Sequence, residues 1–202
     1  MTRWAMVIDL QRCVGCNACT VACKAENGTP QGVFYCMVLE RMTGTYPDAQ
    51  REFIPVLCNH CEEPPCQKVC PTGATYTRDD GIVLADDQKC IGCRACYVAC
   101  PYNRRYFLRK EVLRSGYYGE LTPYERTKYA EHEPGTVVKC TFCAHRVDQG
   151  LEPACVITCC TRARIFGDLD DPESEVSRIV AQERTTQLLP EAGTEPRVFY
   201  LR

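Results

Sequence analysis

Residues 90 to 101 read Cys90-Ile-Gly-Cys93-Arg-Ala-Cys96-Tyr-Val-Ala-Cys100-Pro101. The spacing is C-x2-C-x2-C-x3-C-P, the run with which a bacterial chain wraps a [4Fe–4S] cube. Three thiolates at short, even spacing close on one cube. The fourth lies one helical turn further on, points away and serves a different cluster. Such a run demands a partner, and the chain holds three more. They are Cys13-x2-Cys16-x2-Cys19-x3-Cys23, then Cys58-x2-Cys61-x4-Cys66-x3-Cys70 followed by Pro71, then Cys140-x2-Cys143-x11-Cys155-x3-Cys159. Sixteen of the eighteen cysteines fall into these quartets, leaving Cys36 and Cys160 over. A single C-x2-C pair means little; two unbroken runs beside two stretched variants point to iron–sulfur chemistry.

Other uses of so many cysteines fit less well. A disulfide framework belongs to a short secreted chain with its own signal peptide, and here Asp9 interrupts the N-terminal apolar stretch too early for one. Structural zinc wants two separated pairs, often with histidine. His60 inside the second quartet and His145 after Cys143 allow such a site to be drawn, but zinc gives no reason for the x2-x2-x3 rhythm. Both histidines are expected at the surface or behind the ligands, where a hydrogen bond to a cluster sulfur would tune its potential. Cys36 reads as a small buried hydrophobe. No isolated C-x3-C-x2-C triad for radical chemistry occurs. G-x-G-x-x-G and P-loop fingerprints are absent too, which argues against flavin or nicotinamide chemistry on this chain. With 24 basic and 26 acidic residues the net charge is −2, with no nucleic-acid footprint. No stretch approaches the roughly 20 apolar residues that cross a bilayer, so a soluble chain is expected.

Four short apolar segments run into the quartets: Trp4–Ile8, Phe53–Leu57, Ile82–Leu84 and Val137–Val138. Their β-branched content predicts strands, with Pro55 confining its strand to an edge or bulge. Helical pieces follow at Thr20–Glu26 and Tyr97–Cys100, so the repeated unit is strand, metal loop, short helix. Gly15, Ala18, Gly92 and Ala95 are expected to leave room for a cube and let N–H groups turn toward its sulfurs. Between the units, residues 27 to 52 read as loops around a strand near Val33 to Arg41, and residues 71 to 81 as a turn entering a hairpin. The insertion from 102 to 136 carries six tyrosines, a cover for the clusters or a docking surface. Asp171 and Pro172 predict a helix start, with Val176, Ile179, Val180 and Glu183 on one face through about residue 185. Arg197–Leu201 reads as a packed strand or a partner-binding arm.

Further motifs accompany the quartets: Val7-Ile8-Asp9, Cys58-Asn59-His60-Cys61, Cys70-Pro71-Thr72-Gly73-Ala74, Cys140-Thr141-Phe142-Cys143, Phe166-Gly167-Asp168-Leu169 and Pro190-Glu191-Ala192-Gly193-Thr194. Over nearly the whole chain they resemble the four-cluster iron–sulfur subunit of the molybdopterin (dimethyl sulfoxide reductase) family, above all the electron-transfer subunits of polysulfide, thiosulfate, tetrathionate and respiratory arsenate reductases. The resemblance implies that the first quartet pairs with the fourth and the second with the third. One cluster would then be held by Cys13, Cys16, Cys19 and Cys159, and its neighbour by Cys23, Cys140, Cys143 and Cys155. Cys58, Cys61, Cys66 and Cys100 would hold a third, and Cys70, Cys90, Cys93 and Cys96 the fourth. The implied fold is α+β, two fused ferredoxin-like lobes with two [4Fe–4S] clusters each. Lobe one would take residues 1–50 and 137–170, lobe two 51–101, with 102–136 as an insertion and 171–202 as a C-terminal helix and arm. One departure matters: relatives carry proline after the last cysteine of the fourth quartet, whereas this chain has Cys159-Cys160-Thr161. Spacing favours Cys159, with Cys160 as the alternative ligand.

The role so implied is a non-catalytic relay between a molybdenum- or tungsten-bis-pterin catalytic subunit and a membrane quinone-linked subunit or soluble carrier. Two alternatives stand beside it, the small subunit of a non-redox transhydroxylase-like enzyme and a free-standing polyferredoxin. Family members without a signal of their own travel folded with a catalytic subunit, so the extracytoplasmic face is favoured over the cytoplasm.

Overall fold

A computed structural model of the chain describes residues 2–182 and 185–202. Each apolar segment ahead of a quartet is a strand that feeds a loop and then a helix. β1 (Trp4–Asp9) leads to α1 (Ala18–Asn27); β2 (Cys36–Thr43) and β3 (Gln50–Leu57) form a hairpin whose second strand leads to α2 (Pro65–Lys68). The hairpin of β4 (Thr75–Thr77) and β5 (Val83–Ala85) leads to α3 (Ala95–Ala99). The insertion then supplies β6 (Tyr106–Phe107), α4 (Lys110–Arg114) and α5 (Pro123–Tyr129), and β7 (Val137–Val138) pairs back onto β6 before α6 (Ala144–Val147) and α7 (Ala154–Ile157). β8 (Arg164–Asp168), α8 (Glu175–Gln182), β9 (Thr185–Thr186) and β10 (Val198–Leu201) complete the chain. The mixture is α+β.

The largest sheet has the order β8-β1-β10-β9, with β1 parallel to β10 and antiparallel to β8. β1 is apolar because it is covered on both sides. Its side chains alternate, so Met6 and Ile8 enter the core with Cys19, Cys23 and Phe142, while Ala5 and Val7 pack on Val176 of α8. Trp4 stacks on Phe166 across the β1–β8 pair at 5.1 Å between ring centres. Pro55 sits in a two-stranded sheet, where every strand is an edge.

Two open alternatives resolve and one expectation changes. Residues 198–201 are an interior strand: Val198 and Tyr200 are buried, and the Tyr200 hydroxyl donates to the Pro55 carbonyl at 2.9 Å. A partner-binding arm would need those side chains free. The helix expected from Asp171 starts instead at Glu175, because Asp171 builds a turn in front of it. Its carboxylate accepts from the Glu173 N–H and its carbonyl from Ser174. Glu183 lies outside the described residues, and Thr185 already belongs to β9. The tyrosine-rich insertion mostly covers. Tyr129 is buried, Tyr106 pairs opposite Val138, and the Tyr124 hydroxyl caps the Ala25 carbonyl at the end of α1, whereas Tyr118 is 95 % exposed. A capping box between Thr122 and Glu125, with Pro123 behind it, starts α5. Among the described residues no helix is long and apolar enough to cross a membrane.

Candidate iron–sulfur centres

In all four quartets the residue just before the second cysteine has a left-handed backbone: Gly15 (φ 69°), His60 (43°), Gly92 (68°) and Phe142 (52°). Asn17 and Arg94 turn the same way just ahead of α1 and α3. Left-handed residues within a turn swing successive N–H groups to one side, a concavity suited to an anion. The glycines also serve the packing around the loops. A Cβ at Gly15 would strike the Phe53 ring and one at Gly92 the Gly135 carbonyl, so the space they save is taken by protein walls. Asp9 and Asp86 brace the two unbroken runs alike, each accepting from the N–H groups two and three residues on.

The helices then divide the cysteines. α1 carries Cys19 and Cys23; α2, α3 and α7 carry Cys66, Cys96 and Cys155, with Cys70, Cys100 and Cys159 just beyond their ends. The thiols gather in four sets. In set A, burial raises the Cys13 thiol, a backbone hydrogen bond at Gly15 lowers it, and Cys19 and Cys159 lie near enough to act on it too. Cys16 is exposed, and its Sγ lies 4.0 Å from that of Cys160. In set B, burial raises Cys23, and Cys155 and Cys143 add to this; burial likewise raises Cys140, with Cys23 and Cys155 beside it. Set C is a hollow lined by Cys58, Cys61, Cys66 and Cys100 under Pro64, Pro65 and Pro101. Set D is a second hollow lined by Cys70, Cys90, Cys93 and Cys96. All eighteen cysteines are free thiols.

Neighbouring sets adjoin in the order A, B, C, D. Cys19 of A acts on Cys155 of B, Cys58 of C acts on Cys140 of B, and Arg105 lines both the C and D hollows. Burial pushes Cys61 up to about 12 and Cys155 to about 11, so a bare thiolate is disfavoured there without a positive partner. Among the described residues no three His, Cys, Asp or Glu side chains converge on a point where one ion would sit. Thiols spread around a hollow fit the corners of a cube.

Several side chains that reach the sulfurs are absent from the quartets. Arg105 Nη2 donates to Cys66 Sγ at 3.0 Å, Arg164 Nη1 to Cys155 Sγ at 3.7 Å, and Asn27 Nδ2 to Cys23 Sγ at 3.6 Å. One signal was available, since Arg105 and Arg164 each stand five residues after the last cysteine of a quartet. Cys36 is buried as expected, yet it is no mere hydrophobe. It accepts from Arg164 Nη2 at 2.9 Å, and the neighbouring Cys19 and Cys36 thiols act on each other, so that Cys36 lowers Cys19 while Cys19 and burial raise Cys36. The histidines reach no sulfur. His145 meets Glu26 at the surface, and His60 is buried, accepts from the Val83 N–H and stacks on Phe142 at 3.7 Å.

Comparison with known proteins also points to iron–sulfur chemistry. A 4Fe–4S dicluster domain model matches residues 49–115 and 107–169, and a 4Fe–4S binding domain model matches residues 4–25. The chain is 47 % identical to a putative dimethyl sulfoxide reductase iron–sulfur subunit of Halobacterium salinarum, over 100 % of this chain and 79 % of the relative. It is 44 % identical to the arsenate respiratory reductase iron–sulfur subunit of Shewanella sp. strain ANA-3, over 99 % and 96 %. Identity to a tetrathionate reductase subunit of Salmonella typhimurium is also 44 %, over 98 % and 72 %. The chain belongs to this family of reductase iron–sulfur subunits, electron-transfer proteins built on 4Fe–4S dicluster domains.

Proposed function

We propose that sets A, B, C and D hold four [4Fe–4S] clusters, and that the chain carries single electrons along them between a molybdenum- or tungsten-bis-pterin catalytic subunit and a quinone-linked membrane subunit or soluble carrier. Sets A and B make one ferredoxin-like lobe, C and D the other. When bound, each cluster supplies a one-electron couple. The observation that carries the reading is the linear order of the sets together with where they open. The outer sets each present a cysteine at the surface, Cys16 in A and Cys93 in D. Exposed apolar residues stand beside them, Val14 and Val21 at one end, Ile91 and Val98 at the other. The four set-B cysteines, and Cys61 and Cys66 of set C, are buried.

Within each set the protein's part is to hold thiolates, aim N–H groups and exclude water. Cys159 is the ligand in set A on the analogy of Cys70. The Ala163 N–H donates to Cys159 Sγ at 3.2 Å, as Thr75 N–H does to Cys70 Sγ at 3.4 Å. The test is iron and acid-labile sulfide on anaerobically purified chain. About sixteen of each per chain is expected, four per cluster, with co-purification of a large pterin-binding subunit from its native source. Zinc without sulfide would overturn the reading, and sixteen irons with no such subunit would leave a free-standing carrier.

A further inference from the structure

Three cations lie in the interior. Arg164, Lys139 and Arg105 are 3 %, 2 % and 2 % exposed. Among the described residues, none of the three pairs with a carboxylate. A buried charge without a counter-ion is costly and persists only where something compensates it. The neighbours of these three are sulfurs and neutral oxygens. Arg164 donates to Cys36, Cys155 and Met6, Lys139 Nζ donates to the Cys140 carbonyl at 2.7 Å, and Arg105 donates to Cys66 and to Thr75 Oγ1.

Their placement follows the line of sets. Arg164 acts on Cys13 and Cys19 of A and on Cys23 and Cys155 of B. Lys139 acts on Cys140 of B and Cys66 of C. Arg105 lies between C and D, lining both hollows and acting on Cys58, Cys66 and Cys96. The basic residues directly ahead of the two unbroken runs behave differently. Arg12 and Lys89 are largely exposed and each pairs with a carboxylate, Asp9 and Asp86 respectively.

We propose that Arg164, Lys139 and Arg105 are fixed counter-charges, one at each junction between adjacent clusters, and that each raises the reduction potential of the two sites it lies between. The inference rests on the four-cluster reading. A cluster bound by four thiolates is an anion that gains a further negative charge on reduction, so a cation at fixed distance favours the reduced form at both neighbours. Along the chain this keeps every step from being isolated by its own charge. The guanidinium or ammonium does not react; it positions charge.

The experiment is a reductive titration of the full chain, purified anaerobically, followed by electron paramagnetic resonance alongside iron and sulfide content. In Arg164→Met with iron retained, two of the four couples should fall by at least a tenfold change in equilibrium, about 59 mV for one electron. Arg164→Lys should restore most of it. Arg105→Met should move the opposite pair, and Lys139→Met one member of each pair, so that the shifts overlap like links of a chain. Unchanged midpoints at full iron content, or Arg164→Lys and Arg164→Met behaving alike, would overturn the proposal. Should Arg164→Met fail to load, Lys139→Gln asks the same question at the middle junction. Failure of the four-cluster reading is separate, since it appears as low iron in the unaltered chain.

Discussion

The inner and outer thiol sets use one loop conformation and fill it differently. At the outer sets A and D the left-handed position is glycine, and a cysteine reaches the surface. At the inner sets B and C the same position holds Phe142 and His60, both fully buried and stacked on each other. Left-handed backbone is uncommon for such bulky residues. What offsets the strain is the stack, which fills the junction between B and C with aromatic rings where a smaller residue would leave a void. The loop shape therefore belongs to the quartet, while the residue at its bend reflects what lies beyond it. An outer site must be approached by a partner; an inner one must be sealed.

From that contrast, ligand loss should have unequal consequences. Cys93→Ser, at the open rim of set D, should remove about four irons from about sixteen and leave the rest. Cys155→Ser should cost far more, because its helix α7 also leads to Cys159 and its side chain lies in the main core. We expect poor yield of soluble protein and iron well below twelve. Equal losses from both variants would break the comparison at its root. The stack comes next. Phe142→Ala opens a cavity worth about 3–5 kcal/mol, read as faster bleaching of the cluster absorbance on heating, since unfolding with cluster loss is a rate and not an equilibrium.

Smaller effects should separate the two outer glycines. Alanine is strained at a left-handed φ by about 1–2 kcal/mol. At Gly92 its methyl would also meet the Gly135 backbone carbonyl, whereas at Gly15 it meets the Phe53 ring. Phe53 is a partly exposed side chain that can turn, and a carbonyl cannot. Gly92→Ala should therefore shorten the half-life of the absorbance at fixed temperature more than Gly15→Ala does. Identical half-lives would mean that the backbone conformation alone sets the cost.

Much of this was legible in the sequence because cysteine spacing encodes geometry directly. The strand ahead of each quartet and the short helices behind the two unbroken runs follow from periodicities of two and about four residues, whereas the grouping of thiols across quartets is what the family resemblance implies. What stayed hidden has a physical reason. Arg105, Lys139 and Arg164 look like ordinary surface cations, and only tertiary packing shows that they are buried without a carboxylate. Val198 and Tyr200 read as a strand from their alternation, but whether that strand is central or free depends on β1 offering its edge. The aromatic stack pairs residues far apart in the chain, beyond any local pattern. Asp171 misled because the side chain that caps a helix also builds a turn.

The smallest expected effect, at Cys160, tests a second difference between the outer sets. Pro71 and Pro101 follow Cys70 and Cys100, while Cys160 follows Cys159. Around the sulfurs the resemblance between Cys70 and Cys159 extends further. Thr72 Oγ1 lies 3.8 Å from Cys70 Sγ and Thr161 Oγ1 3.7 Å from Cys159 Sγ, beside the matching N–H donors. Cys160 lacks that shell and faces Cys16 at the exposed rim. Cys160→Pro should therefore leave iron, sulfide and midpoint potentials unchanged, while Cys159→Ser should lose about four irons. The reverse pattern would make Cys160 the ligand. Set A would then be held differently from set D, and the symmetry of the two outer sites would fail at the sulfur itself.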